Sequence, residues 1–158
     1  MVADKILNSK DKKHLFRLME EQWGADTSVL KDKVLIKKPS GKIFIVGKEA
    51  AELEHEMPIR TYSMGNYFGK EEKDEFRVTI EGSQIIGAHC RKNIISLDDE
   101  QIKAWVRGEE VAIPEEHQGF CLVKHGKDFY GCGNARRGRL INHIPKTRRI
   151  NKILELDE

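Results

Sequence analysis

The chain has 158 residues, 34% of them charged and 39% hydrophobic, with a formal net charge of +2, which suits one ordinary core or two small adjoining ones. No apolar run approaches the roughly 18–20 residues of a membrane span, and the opening MVADKILNSKDKKHLF lacks the apolar region of an export signal. The three cysteines, Cys90, Cys121 and Cys132, form no CxxC pair, so the expectation is free thiols in a reducing cytoplasm, not a disulfide framework or a structural zinc site.

The spacing of Leu15, Leu18, Met19, Gln22 and Trp23 predicts a helix over residues 9–23, stopped by Gly24. Phe16 and Trp23 belong to its packing side. VLIKKPSGKIFIVG then reads as a hairpin, with Val34–Ile36 and Ile43–Val46 paired across Pro39-Ser40-Gly41. A short helix is expected over 48–56, closed by Pro58. Tyr62, Tyr67 and Phe68 follow in a strand-and-turn segment and read as an exposed docking surface. Glu71–Glu75, EEKDE, reads as a charged loop; adjacent like charges there need no metal ion.

A division near 69–75 separates an N-terminal unit, residues 1–72, from a C-terminal unit, residues 73–152, and an acidic tail, 153–158. The second unit begins with FRVTI, an alternating strand over 76–80. One or two helical turns follow in GSQIIGAHCRKN, then a strand or turn at Ile94–Leu97. Asp98 caps a helix through about Val106, with Gln101 at the position that completes a capping box, and Gly108 stops it. FCLVK and DFYGCG are strands, and a further strand follows the basic turn. Short strands with brief helices specify a small mixed α/β unit on a curved sheet or pseudo-barrel, not a doubly wound fold.

Charge is distributed unevenly. From Leu122 to Lys152 nine bases, including Lys124, Arg136, Arg137, Arg139, Lys146, Arg148 and Arg149, face a single acid, Asp128. This distribution points to a polyanion-facing surface. Guanidinium groups suit phosphate because their planar donors bind two oxygens at once. Arg137 and Arg139 share a face of an extended chain and Arg136 takes the other, while a turn through Gly138 brings all three to solvent. Arg91 and Lys92 extend the patch.

GCGNARRG does not have the spacing of a dinucleotide or P-loop fingerprint, so no cofactor is assigned. Gly131 and Gly133 read as close-packing positions that also leave room for a nucleic-acid backbone. Cys121 is expected in the core. Cys132, between glycines, reads as exposed, yet neither it nor His143 has partners that make a catalytic or metal site. No enzyme activity is assigned.

FRVTIEGSQIIG, RKNIISL, WVRGEEV, GFCLVKHGKDFYGCG and GRLINHIPKTRRI, in this order, resemble the PUA-like C-terminal region of the nucleolar-protein/Sun family of RNA cytosine-5 methyltransferases, most closely the short archaeal stand-alone form. YFGK, FRVTI and IPEEHQGF are similar to segments of small ribosome-biogenesis proteins with an N-terminal α/β domain and a C-terminal PUA domain. The resemblance covers residues 76–150 most strongly. It implies an α+β fold, a small N-terminal α/β domain followed by a PUA-like mixed pseudo-barrel. It also implies RNA binding in rRNA or tRNA modification or ribosome biogenesis, with phosphate contacts from Arg136, Arg137, Arg139, Lys146, Arg148 and Arg149. The methyltransferases carry an S-adenosylmethionine domain and a catalytic cysteine in a Pro-Cys or Thr-Cys setting; neither is present in this chain. The implied partners are structured RNA and, in a second reading, ribosome-assembly or RNA-modification proteins, with no membrane.

Overall fold

The computed structural model describes residues 4–47 and 66–142. The helix expected at 48–56, Tyr62, His143, the basic residues Lys146, Arg148 and Arg149, and the acidic tail lie outside the described residues.

The expected N-terminal helix forms as α1, Ser9–Trp23. Its ends are set locally. Asn8 accepts the N–H of Asp11, whose side chain reaches back to the N–H of Asn8, and Gly24 closes the helix at φ 61° and ψ 37°, donating its N–H to the carbonyl of Glu20. Leu15, Leu18, Met19 and Trp23 form its buried side. A short strand, β1 (Lys5–Ile6), precedes it, and β2 (Lys33–Lys37) and β3 (Lys42–Gly47) make the expected hairpin, with Val34 opposite Val46 and Ile36 opposite Phe44.

The acidic stretch is not a loop. Strand β4 (Asn66–Glu72) turns at Lys73 and Asp74, with φ of 48° and 62°, directly into β5 (Glu75–Val78). Glu72 faces Glu75 across this two-residue hairpin, and its carboxylate is held by Lys70 at 3.0 Å and Arg77 at 3.5 Å. Cross-strand charge pairing makes an acid-rich segment compatible with a ladder. The first sheet has the order β1-β2-β3-β4-β5, so it runs past residue 72. The FRVTI strand ends at Val78 because Thr79 caps α2, Ile80–Ile86, through the N–H of Gly82.

The second sheet is built from β6 (Ile94–Ser96), β7 (Val111–Ala112), β8 (Gly119–His125), β9 (Asp128–Arg136) and β10 (Arg139–Asn142), in the order β6-β8-β9-β10-β7. It is mixed: β6 runs parallel to β8, and the other pairs are antiparallel. The architecture is α+β, with a curled, half-barrel mixed sheet following the helix and first sheet. Helix α3, Asp99–Val106, begins with the expected Asp98–Gln101 capping box.

Strand β8 is buried on both faces, which explains its continuous apolar run. Leu122 joins Phe129 and Cys132 in a core shared with Trp23, Phe68, Phe76 and Ile86. Cys121 and Val123 turn the other way, into a core with Trp105, Val106, Ala135 and Leu140. Helix α2 is tied to β9 by Ser83, whose hydroxyl donates to Ile80 O at 2.7 Å and accepts from the N–H of Gly131 at 2.8 Å.

Candidate nucleic-acid interface

The basic turn is a two-residue hairpin. Arg136 and Arg139 are paired across the end of β9 and β10, leaving Arg137 and Gly138 as the loop at φ 51° and 77°. Two consecutive left-handed residues match the twist of the flanking strands, and Gly138 takes its conformation without steric penalty. The three arginines are exposed. Their environments differ: Arg139 contacts Glu110 at 3.6 Å, whereas Arg136 and Arg137 have no carboxylate partner among the described residues. The loop ahead of β8 braces the turn through Ile113 N–H donating to Gly138 O at 2.9 Å. Sequence reading missed two acids at this site: Glu110, which the β7–β10 pairing brings near Arg139, and Glu115, whose side chain lies beside Gly138.

Arg91 and Lys92 are also exposed, and their backbone is fixed. Both N–H groups donate to the carbonyl of Trp23, at 2.8 and 3.0 Å, where that carbonyl emerges at the end of α1. Asn93 follows in a left-handed conformation, φ 55°, its side chain donating to Gln22 O and its carbonyl accepting from Leu122 N–H. Since β6 runs parallel to β8 with Ile94 opposite Leu122, residues 91–92 lie beside the start of β8. Gly119 there pairs with Ala135, the neighbour of Arg136. Strands β6 and β9 are two spacings, about 10 Å, apart, and residues 91–92 precede β6 on the side of the sheet where the arginine hairpin lies.

Lys124 does not join them. It faces Phe129 at the opposite end of β8 and β9, with its ammonium 5.5 Å from that ring. The strand from Phe129 to Arg136 sets a separation of about 23 Å.

The chemical alternatives take a different form from their sequence expectations. Cys132 is buried, not exposed. Its sulfur accepts from Val78 N–H at 3.3 Å and donates to Val78 O at 3.6 Å. Burial pushes its thiol pKa up to about 12, and those of Cys90 and Cys121 to about 11. The neutral thiol is thus stabilised by folding. That contribution is complete below the ordinary thiol pKa of about 9 and is lost as pH rises through about 12. We expect urea-measured stability to fall from pH 9 to 11, and to fall less steeply in Cys132→Ala. Equal slopes in the two proteins would contradict this account.

Gly131 and Gly133 do not open the strand to a nucleic-acid backbone. Both are buried, and the space a side chain at Gly133 would need is filled by Trp105. The aromatic docking surface also changes character: Phe68 is fully buried, and Tyr67 is half-buried and stacked on Phe44, with ring centroids 5.4 Å apart. Among the described residues no group of three or more His, Cys, Asp or Glu is arranged to hold a metal ion, and no helix is long and apolar enough to cross a membrane.

No curated protein matches this chain. A crystal structure of a hypothetical protein from the hyperthermophilic archaeon Pyrococcus horikoshii OT3 is similar in fold, with a TM-score of 0.56 and 13% sequence identity over 98% of this chain and 99% of that one. Residues 92–150, a span that opens just before β6 and includes all of the second sheet, match the family model described as the Methyltransferase RsmF PUA domain.

Proposed function

We propose that this chain is a non-catalytic protein that binds structured RNA through the end of its second sheet carrying Arg91, Lys92, Arg136, Arg137 and Arg139. The single observation that carries this reading is the Arg136–Arg139 hairpin: a rigid two-residue turn presents two exposed guanidinium groups with no carboxylate partner among the described residues. The similarity of residues 92–150 to a PUA domain model supports RNA as the polyanion. Structured RNA fits better than a single strand because, among the described residues, this end carries no row of exposed aromatic rings for base stacking. The reading extends to rRNA or tRNA as ligand, to RNA modification or ribosome biogenesis as setting, to assembly or modification proteins as co-partners and to the cytoplasm as location. Lys146, Arg148 and Arg149 remain proposed contacts by sequence resemblance. Lys124, at the far end of the sheet, belongs to this surface only if the RNA spans its length.

Fluorescence titration of a labelled RNA hairpin at two salt concentrations tests the reading. Wild-type affinity is expected to fall as salt rises. The variant Arg136→Ala/Arg137→Asn/Arg139→Ala is expected to bind about 10- to 100-fold more weakly, with the log–log salt slope reduced by about 2–3. Asparagine at 137 tolerates the left-handed turn, so the fold is preserved. Unchanged binding in this variant would sink the site.

A further inference from the structure

A second basic surface lies on the N-terminal part of the molecule, along α1. Between α1, β1 and the end of β2 is a groove of about 960 Å³. Its lining carries Lys5, Lys10, Lys13, Arg17, Lys37 and Lys38 against Asp11, Glu20 and Glu71. Several of these charges are matched internally. Lys5 contacts Asp11 at 3.0 Å, and Glu71 is shared between Lys37 at 3.1 Å and His14 at 3.0 Å. Lys38 reaches Asp4 at 3.7 Å. What remains is a row of exposed cations, Lys10, Lys13 and Arg17, with no carboxylate partner among the described residues. Arg17 makes only a polar contact, its guanidinium donating to His14 Nδ1 at 3.2 Å.

Spacings of three and four place these cations on one side of α1. Continuing along that side reaches two exposed acids, Glu20 and Glu21, and then Gly24. A β-carbon at Gly24 would lie 3.5 Å from Arg91 Cβ and 3.5 Å from Lys92 Cγ. The row on α1 therefore leads to the two cations at the start of the second sheet's basic end. From residue 10 to residue 24 the helix rise gives about 21 Å, and the two strand spacings from β6 to β9 add about 10 Å.

Resting on the RNA-binding reading above, we propose that the RNA held at the second sheet continues along α1, with Lys10, Lys13 and Arg17 contacting its phosphates, so that both units form one basic track about 30 Å long. The partner is an RNA stem long enough to reach both ends. Phosphodiesters suit this row because separate cations spaced along a helix can each contact a different phosphate, and positioning needs no base contacts.

Two labelled hairpins test the proposal, one with a stem of about 16 base pairs, the reach of a double-stranded-RNA-binding domain, and one of about half that. Wild-type protein is expected to bind the longer stem about tenfold more tightly. Lys10→Gln/Lys13→Gln/Arg17→Gln is expected to remove that preference and lower the salt slope on the long stem by about 2–3, leaving short-stem affinity within about twofold of wild type. Lys10→Gln/Lys13→Gln, which keeps the Arg17–His14 contact, is expected to show a smaller loss in the same direction, and thermal melting checks that both variants fold. Wild-type affinities and slopes in the folded triple variant would overturn the α1 track while leaving the second-sheet site standing. Failure of wild type to bind either stem would overturn both readings.

Discussion

Trp23→Ala is expected to destabilise the protein by about 3–5 kcal/mol, a large share of the 5–15 kcal/mol typical of a folded domain. Three roles meet at this residue. Its ring is fully buried, edge-on to Phe76 with centroids 6.2 Å apart. Its indole N–H donates to Phe120 O at 2.9 Å, linking α1 to the second sheet. Its carbonyl holds the backbone of Arg91 and Lys92. Alanine retains only the last. Trp23→Phe keeps most of the apolar volume but loses the indole hydrogen bond, so it is expected to cost less, about 1–3 kcal/mol. Urea denaturation measures both; a cost below about 1 kcal/mol for the alanine variant would show that the shared core does not depend on this contact. Because the carbonyl is unchanged, Trp23→Phe is expected to retain RNA affinity under conditions where it remains folded, which separates the stability role from positioning Arg91 and Lys92.

Gly133→Val should be comparably damaging, by overpacking instead of by a cavity. Even the first carbon of a side chain there would sit 2.6 Å from Trp105 Cη2, 2.8 Å from Ile141 O and 2.9 Å from Leu140 Cδ1. The indole has little freedom to retreat, since its N–H donates to Tyr130 O at 2.8 Å. The carbonyl belongs to β10, whose Asn142 pairs with Gly133 itself. The expected cost is about 3 kcal/mol or more, read as a lower urea midpoint together with a changed near-ultraviolet signal from Trp105. A variant with wild-type midpoint and signal would refute the close approach.

These two residues also illustrate what was legible in advance. Trp23 was placed in the core from the spacing of its own helix, and both capping boxes, Asn8–Asp11 and Asp98–Gln101, lie within segments whose helical character is visible in sequence. The hairpin around Pro39-Ser40-Gly41 was equally readable. Gly133 was harder. Between Cys132 and Asn134 it looked like an opening for a ligand, because the ring that fills the space comes from Trp105 on a separate helix. In the acidic stretch Glu72 has its partners Lys70 and Arg77 close by in the chain, but Glu71 is contacted by His14 and Lys37, which are remote in sequence. Phe68 looked exposed because glycine and charged residues surround it in the chain, whereas in space it packs against Phe76 at 5.5 Å.

Local sequence by itself determined where α1 and α3 begin, which apolar residues of α1 face inward, and that the arginines around Gly138 occupy a turn. Those features rest on hydrogen bonds and side-chain periodicities completed within a few residues. Tertiary structure alone decided which cations share a surface. The parallel register of β6 on β8 brings Arg91 and Lys92 to the arginine hairpin, the length of β9 removes Lys124 from it, and the docking of Gly24 against Arg91 and Lys92 joins the row on α1 to the same end. Contacts between elements far apart in sequence have no periodicity to announce them; they exist only once the sheets and helices are packed.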